Sequence, residues 1–290
     1  MGTELRAAIG DYPHMEALKS GRVGSDLLTL DFAAMPAINR AFAPMVREQK
    51  FDVCEIAIVT FFQAKAYGKP LTLLPVVTLT RAQQSALLCR VGADIDGPAG
   101  LAGKRIGVRA YSQTTGVWLR GILADEHGVR PQDVSWTTFE GAHVLEYRDP
   151  PFVQRAGEGK EMLAMLRAGE LDAVIVGNDV PNDPNFRPVF ANPAASAQAF
   201  RRKHGFTPVN HMICVRAGLA GNAKLFDELM RMFAEAASLA TAPGDGRDSY
   251  STSRGALAPA LQLALRYANE QRLLPRPLSL EDLWEGSPTA

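Results

Sequence analysis

No stretch of this 290-residue chain approaches the roughly 20 consecutive apolar residues that a membrane-spanning helix needs. Cysteine is scarce. The three residues, Cys54, Cys89 and Cys214, are an odd count without metal-ligand spacing, which argues against a disulfide scaffold. All three fall in stretches that read as strands, so buried reduced thiols are expected. An excess of either charge is also missing, because Lys+Arg and Asp+Glu are 31 each. No global field then draws the chain to nucleic acid or to an anionic membrane, and charge recognition must be local. A phosphate loop, a dinucleotide fingerprint and a nucleophile elbow are all absent, and no two His or carboxylates have reliable metal spacing. The first residues, Met1-Gly2-Thr3-Glu4-Leu5-Arg6, lack the basic-then-apolar pattern of an export signal. On that pattern the chain reads as cytoplasmic, or as periplasmic if a signal has been trimmed.

What is present is an alternation of short apolar strands with helices, in a chain long enough for two domains. Residues 4–10, 27–32, 53–60 and 71–77 read as strands, with helical segments at 36–48 and 63–67 between them. A second unit starts near 84–90. It carries strands at 104–108, 134–139 and 172–177 and helices at 114–127 and 159–168, with a long Gly-, Pro- and charge-rich loop over 140–158. A helix over 194–203 precedes a strand at 207–215 that returns toward the first part. An amphipathic helix over 225–240, a polar loop over 243–255 and helices at 256–273 and 279–285 finish the chain. The pattern predicts a two-lobed α/β fold. Lobe one is 1–85 with 210–290, lobe two is 86–205, and the chain crosses near 84–90 and 205–212. In open α/β sheets ligands sit at the carboxyl ends of strands. A ligand cleft between the lobes is therefore expected, with Thr60 and Asn178 at two of the strand tips.

Several polar groups stand where chemistry is expected. Ser112-Gln113-Thr114-Thr115 follows a strand end and opens a helix, where unpaired N–H groups and the helix dipole favour an anion. A plain N-cap explains the same residues, but four polar donors exceed what one cap needs. Asp11 and His14 flank Tyr12-Pro13 at the end of the first strand and suit proton transfer or a simple turn. His211 interrupts an otherwise apolar returning strand at a lobe crossing. Glu55 lies in the apolar strand 53–59, either on a polar face or buried and paired. Arg81 and Ser85 precede the first crossing, where Arg can hold a carboxylate bidentately. His127, His143 and His204 fall near helix ends or in loops and carry no assigned role.

An ordered set of motifs is similar to the 4,5-dihydroxyphthalate decarboxylase family. It runs from Gly10-Asp11-Tyr12-Pro13-His14 and Phe51-Asp52-Val53-Cys54-Glu55-Ile56 to Gly103-Lys104-Arg105-Ile106-Gly107-Val108 and Gln113-Thr114. It continues with Ala168-Gly169-Glu170-Leu171-Asp172-Ala173-Val174, Pro208-Val209-Asn210-His211 and Tyr267-Ala268-Asn269-Glu270-Gln271. The resemblance implies a type II periplasmic-binding-protein-like fold and loss of carbon dioxide from a hydroxylated aromatic dicarboxylate. It carries site roles onto Asp11, His14, Glu55, Ser85, Gln113, Thr114 and His211. The chain departs from the family pattern at Gln83-Gln84-Ser85, where an Arg-His-Ser run is usual. It also has Ala110 where an acidic residue is usual, and a shortened stretch near 243–255.

Removing a ring carboxylate needs three things, an anion site, a proton donor and an acceptor for the ring hydroxyl proton, and each has a candidate here. The helix start at 112–116 holds the carboxylate that stays. His211 or His14 donates a proton to the ring carbon, and Asp11 or Glu55 takes up the ring hydroxyl proton. No redox cofactor is called for, because a hydroxylated ring serves as its own electron sink, and no residue is assigned as a metal ligand. The expected partner is a small aromatic carboxylate, with a homo-oligomer left open. A non-catalytic solute-binding protein for such a ligand is the main alternative. A lyase or dehydratase on the same fold, of the chorismate dehydratase kind, is another.

Overall fold

The structure, a computed structural model, describes residues 2–177, 180–240 and 253–287. Asn178 and most of the expected 243–255 loop lie outside the described residues. The elements run β1 (Thr3–Ala8), α1 (Glu16–Lys19), β2 (Leu28–Phe32), α2 (Phe42–Glu48), β3 (Val53–Ala57), α3 (Ile58–Ala66), β4 (Leu71–Thr80) and β5 (Leu87–Arg90). They continue with β6 (Arg105–Val108), α4 (Thr114–His127), β7 (Ser135–Thr138), β8 (Val153–Arg155), α5 (Met162–Ala168), β9 (Ala173–Ile175), β10 (Phe186–Pro188) and α6 (Pro193–His204). The last are β11 (Val209–Arg216), α7 (Ala217–Ala220), α8 (Ala223–Ser238), α9 (Arg254–Glu270) and α10 (Leu280–Trp284).

The chain divides into two compact units. The first holds Met1–Thr80, Val209–Gln262 and Arg276–Ala290 around a sheet of order β2-β1-β3-β11-β4. Strands β2, β1 and β3 run parallel, while β11 inserts antiparallel between β3 and β4. Strand β3 is buried at every position and so reads as a continuous apolar run, broken only by Glu55. Helix α8 shows why an amphipathic pattern folds as it does. Phe226, Leu229, Met232, Phe233 and Ala236 form one buried stripe at helical spacing, and the Asn222 side chain caps the start by accepting from the Leu225 amide.

The second unit holds Arg81–Pro208 and Leu263–Pro275 around a sheet of order β10-β5-β9-β6-β7-β8. Its longest helix of unbroken membership, α4, ends where the sequence predicts, at Gly128 in the left-handed region. The stretch 263–275 was expected with the first lobe. It groups instead with the second unit, because its side chains reach α4. The Tyr267 hydroxyl donates to Asp125 at 2.8 Å and Gln271 Nε2 donates to the Val117 carbonyl at 2.9 Å. Gly121 makes room for this, since a Cβ there would stand 2.2 Å from the Tyr267 ring.

Three local readings change. The strand expected over 53–60 stops at Ala57, and α3 begins at Ile58 rather than at 63. Residues 58–64 of this helix are buried on every side, so no polar face marks its period. Short strand β8 lies within the expected 140–158 loop and β10 in a stretch given no element, each three residues long and completing a sheet edge. All three cysteines are free and buried, and Cys54 and Cys214 stand opposite each other in the β3–β11 pairing. Burial pushes both of those thiols up, so neither is a ready thiolate. Among the described residues no helix is long and apolar enough to cross a membrane.

Candidate active site

In the first unit the chemistry gathers on one buried carboxylate. Glu55 sits mid-strand in β3, with none of its side-chain surface exposed. Its Oε2 accepts from the Gly10 amide at 2.9 Å. Its Oε1 accepts from the Tyr12 hydroxyl at 2.7 Å and pairs with His211 Nδ1 at 2.6 Å. Strand pairing brings the last two together. His211 lies opposite Ala57 and Ile213 opposite Glu55, so Glu55 and His211 are diagonal neighbours on one face. Beyond the end of β1, Gly10 and Tyr12 close the other side. A Cβ on Gly10 would stand 2.8 Å from the Tyr12 ring, so glycine is what lets the ring lie there.

Burial pushes the Glu55 carboxyl up. The hydrogen bond and charge of His211, with the bonds from Tyr12 and Gly10, outweigh that and hold it below its ordinary range. An ionised carboxylate only accepts, so the imidazole must donate from Nδ1. Nε2 is then the nitrogen left to exchange a proton. The His211 side chain keeps 11% of its surface exposed, and its ring meets Phe42 edge-on at 5.1 Å. His14 is buried and stacks on Tyr12, with ring centroids 5.3 Å apart. Asp11 is not part of this group. Its side chain is 93% exposed and pairs with Lys19 at the surface. Thr60 is the third residue of α3 and buried, not a strand tip.

Tyr12 is the member that sequence reasoning passed over, because the flanking Asp11 and His14 are the more familiar proton carriers. Tyr12→Phe removes one donor to a buried charge. It is expected to lower stability by about 1.5–3 kcal/mol, the scale of a hydrogen bond to a charged group. Urea unfolding of both proteins measures it, and a loss under about 0.5 kcal/mol would show that Glu55 does not depend on Tyr12.

The second unit carries a separate polar group at the start of α4. Gln113 is the N-cap in extended conformation and makes no side-chain cap bond, while Ser112, Thr114 and Thr115 are all buried. Arg81 Nη2 donates to Thr115 Oγ1 at 2.6 Å, and Arg81 Nη1 donates to the Gly177 carbonyl at 2.7 Å. Gln83 Nε2 donates to the Arg81 carbonyl at 2.6 Å. Ser85 is exposed on a short 3-10 turn and joins none of these contacts. Gln84 belongs elsewhere in the unit, lining a cavity of about 230 Å³ together with Phe200, Phe206 and Arg201.

No model of a known protein family matches the chain. It is 30% identical over 181 residues to a 4,5-dihydroxyphthalate decarboxylase of Pseudomonas putida, an alignment covering 59% of this chain and 69% of that protein. The chain belongs to the 4,5-dihydroxyphthalate decarboxylase family. A relative of the same name from Comamonas testosteroni is 29% identical over 236 residues, covering 75% of this chain and 69% of the relative. Among solved structures, the periplasmic aliphatic sulphonate binding protein SsuA of Escherichia coli superposes with a TM-score of 0.61 at 15% identity. That match covers 100% of this chain and 94% of the other. The desulfurization enzyme DSZB, as a mutant in complex with biphenyl-2-sulfinic acid, gives 0.60 at 16% identity over 98% and 97% of the two chains. This member of the decarboxylase family thus has the two-unit α/β fold of the type II periplasmic binding proteins.

Proposed function

We propose that this chain is a decarboxylase acting on a hydroxylated aromatic dicarboxylic acid, with 4,5-dihydroxyphthalate the first compound to test. Family membership supports the reaction class. The observation that carries the assignment of roles is the contrast at the Glu55–His211 pair, where the carboxylate is sealed and the imidazole keeps an accessible edge. His211 is assigned as the general acid that protonates the ring carbon through Nε2. The new C–H bond forms first, the ring–carboxylate bond then breaks with its electron pair returning to the ring, and carbon dioxide leaves. Electron release from a ring hydroxyl stabilises the protonated ring before that loss. Glu55 is a positioning residue, since its charge fixes the tautomer and stabilises the imidazolium. Tyr12 and the Gly10 amide hold Glu55 in turn. This replaces the expectation that Glu55 itself takes a hydroxyl proton, because its oxygens already accept three hydrogen bonds.

Retention of the remaining carboxylate is assigned to the second unit's polar group, where the α4 start, Thr115 and Arg81 offer donors to an anion. The test is release of carbon dioxide by the purified protein from a panel of hydroxylated phthalates and benzoates. Release is expected from a dicarboxylate bearing ring hydroxyls. Tight binding with no release from any of them would favour a solute-binding protein, a role also supported by the likeness to SsuA. Consumption of an aromatic or cyclic acid without carbon dioxide would point to a dehydratase or another lyase.

A further inference from the structure

Within the second unit one charge lacks an explanation. Arg120 is 1% exposed in the middle of α4, and among the described residues no carboxylate forms an ion pair with it. Its Nε donates to Gln271 Oε1 at 2.7 Å and its Nη2 donates to the Tyr111 carbonyl. The guanidinium lies over the Tyr111 ring, 3.9 Å from the centroid, and 5.1 Å from that of Trp136. Its Nη1 is buried and has no hydrogen-bond partner. A lone buried charge is costly, and a guanidinium keeps its charge even in such surroundings.

Where Nη1 points gives the cost a purpose. Arg120 is one turn beyond Gly116, and helical side chains lean toward the N-terminus. Nη1 accordingly lies 3.0 Å from where a Cβ on Gly116 would be, in the first turn of α4. That turn contains no acidic residue and its N-cap makes no side-chain bond. A cation at the positive end of a helix is unfavourable unless an anion arrives. The acidic residue that acts on Arg120 is Asp149, which is engaged by Thr138 Oγ1 at 3.4 Å and whose carboxyl is itself pushed up by burial.

We propose that Arg120 is a positioning residue for anion binding, a buried guanidinium whose charge adds to the positive end of α4 and tightens its hold on a substrate carboxylate. This rests on the assignment of the α4 start to carboxylate binding. Being sealed, Arg120 does not touch the ligand. It acts through the field at the first turn, and Gly116 is small so that the guanidinium can reach that turn.

Calorimetric titration of the full chain with phthalate tests this, comparing wild type with Arg120→Met, Arg120→Lys and Asp149→Asn. Arg120→Met is expected to weaken binding by about tenfold, the effect of one charge across about 10 Å at an effective dielectric near 20. Arg120→Lys keeps the charge but loses the fork and the stacking, and is expected to stay within about threefold of wild type. Equal weakening by both variants would mean a structural role and overturn the proposal, as would unchanged binding in Arg120→Met. Should Arg120→Met fail to fold, Asp149→Asn decides. Removing that opposing charge is expected to tighten binding by about threefold, and no change overturns the proposal. The two assignments fail differently. If wild type binds phthalate and Arg81→Met weakens it while Arg120→Met does not, only the role of Arg120 falls. If wild type binds no phthalate, the carboxylate site itself falls and the proposal with it.

Discussion

His211→Asn is expected to slow carbon dioxide release from a hydroxylated phthalate by about 10²–10⁴-fold, the usual contribution of a positioned acid or base. Asparagine is the informative replacement. Its amide can still donate toward Glu55 Oε1, which His211 Nδ1 reaches at 2.6 Å, but it has no second nitrogen to carry a proton. His211→Ala would remove the acid and also strip a buried carboxylate of its charge partner, mixing catalysis with stability. Phthalate affinity is expected to change little, because carboxylate holding is proposed for Thr115 and Arg81, neither of which His211 contacts. Single-turnover release and calorimetric affinity, measured on the same preparation, separate the two quantities. Undiminished release by a folded His211→Asn protein would remove His211 from the mechanism and move the acid role to His14, the imidazole stacked on Tyr12.

Glu55→Gln is expected to cost about 3–5 kcal/mol of stability, the scale of breaking a buried charge pair. An amide cannot satisfy three donors. Whichever way it turns, its NH2 faces either the Gly10 amide or the Tyr12 and His211 donors. The pH dependence carries a second signature. In the folded protein the carboxyl of Glu55 is held below its ordinary value of 4.5, burial opposing and the His211, Tyr12 and Gly10 contacts prevailing. A depressed carboxyl pKa contributes stability that is fully present above the unfolded value and is lost as pH falls through the folded one. Wild type should therefore lose stability below about pH 4.5 more steeply than Glu55→Gln, whose curve lacks this contribution. Urea midpoints from pH 3 to 7 give both curves, and parallel curves would exclude a Glu55 carboxyl held below its ordinary range in the native state.

Much of the scaffold was legible along the chain because it depends on local pattern. Helix α4 could be bounded from its polar start at 112–115, its apolar middle and its stop at Gly128. Helix α8 followed from a stripe of apolar residues at helical spacing. Where local pattern carries no information the reading slipped. Helix α3 is apolar on all sides, and β8 and β10 are three-residue edges with no period to detect. Arg120 did leave a trace, as the one charge in the buried first part of α4, between Thr114 and Leu123.

By itself the sequence placed the start of α4 and the stripe of α8, but not the end of β3, where Thr60 lies inside α3. It singled out His211 and Glu55 as polar residues in apolar strands. It did not determine that they meet. They are 156 positions apart, and their contact depends on β11 inserting antiparallel beside β3 in a register that makes them diagonal neighbours. A shift of one residue would turn His211 to the opposite face of the sheet. The tertiary structure also chose Tyr12 over Asp11. The backbone turning after β1 directs the phenol onto Glu55 and leaves the aspartate in solvent beside Lys19. Composition and spacing limit which groups are available for chemistry. Register and chain direction decide which of them share a proton, because hydrogen bonds act over about 3 Å while local sequence pattern is blind to distance across the fold.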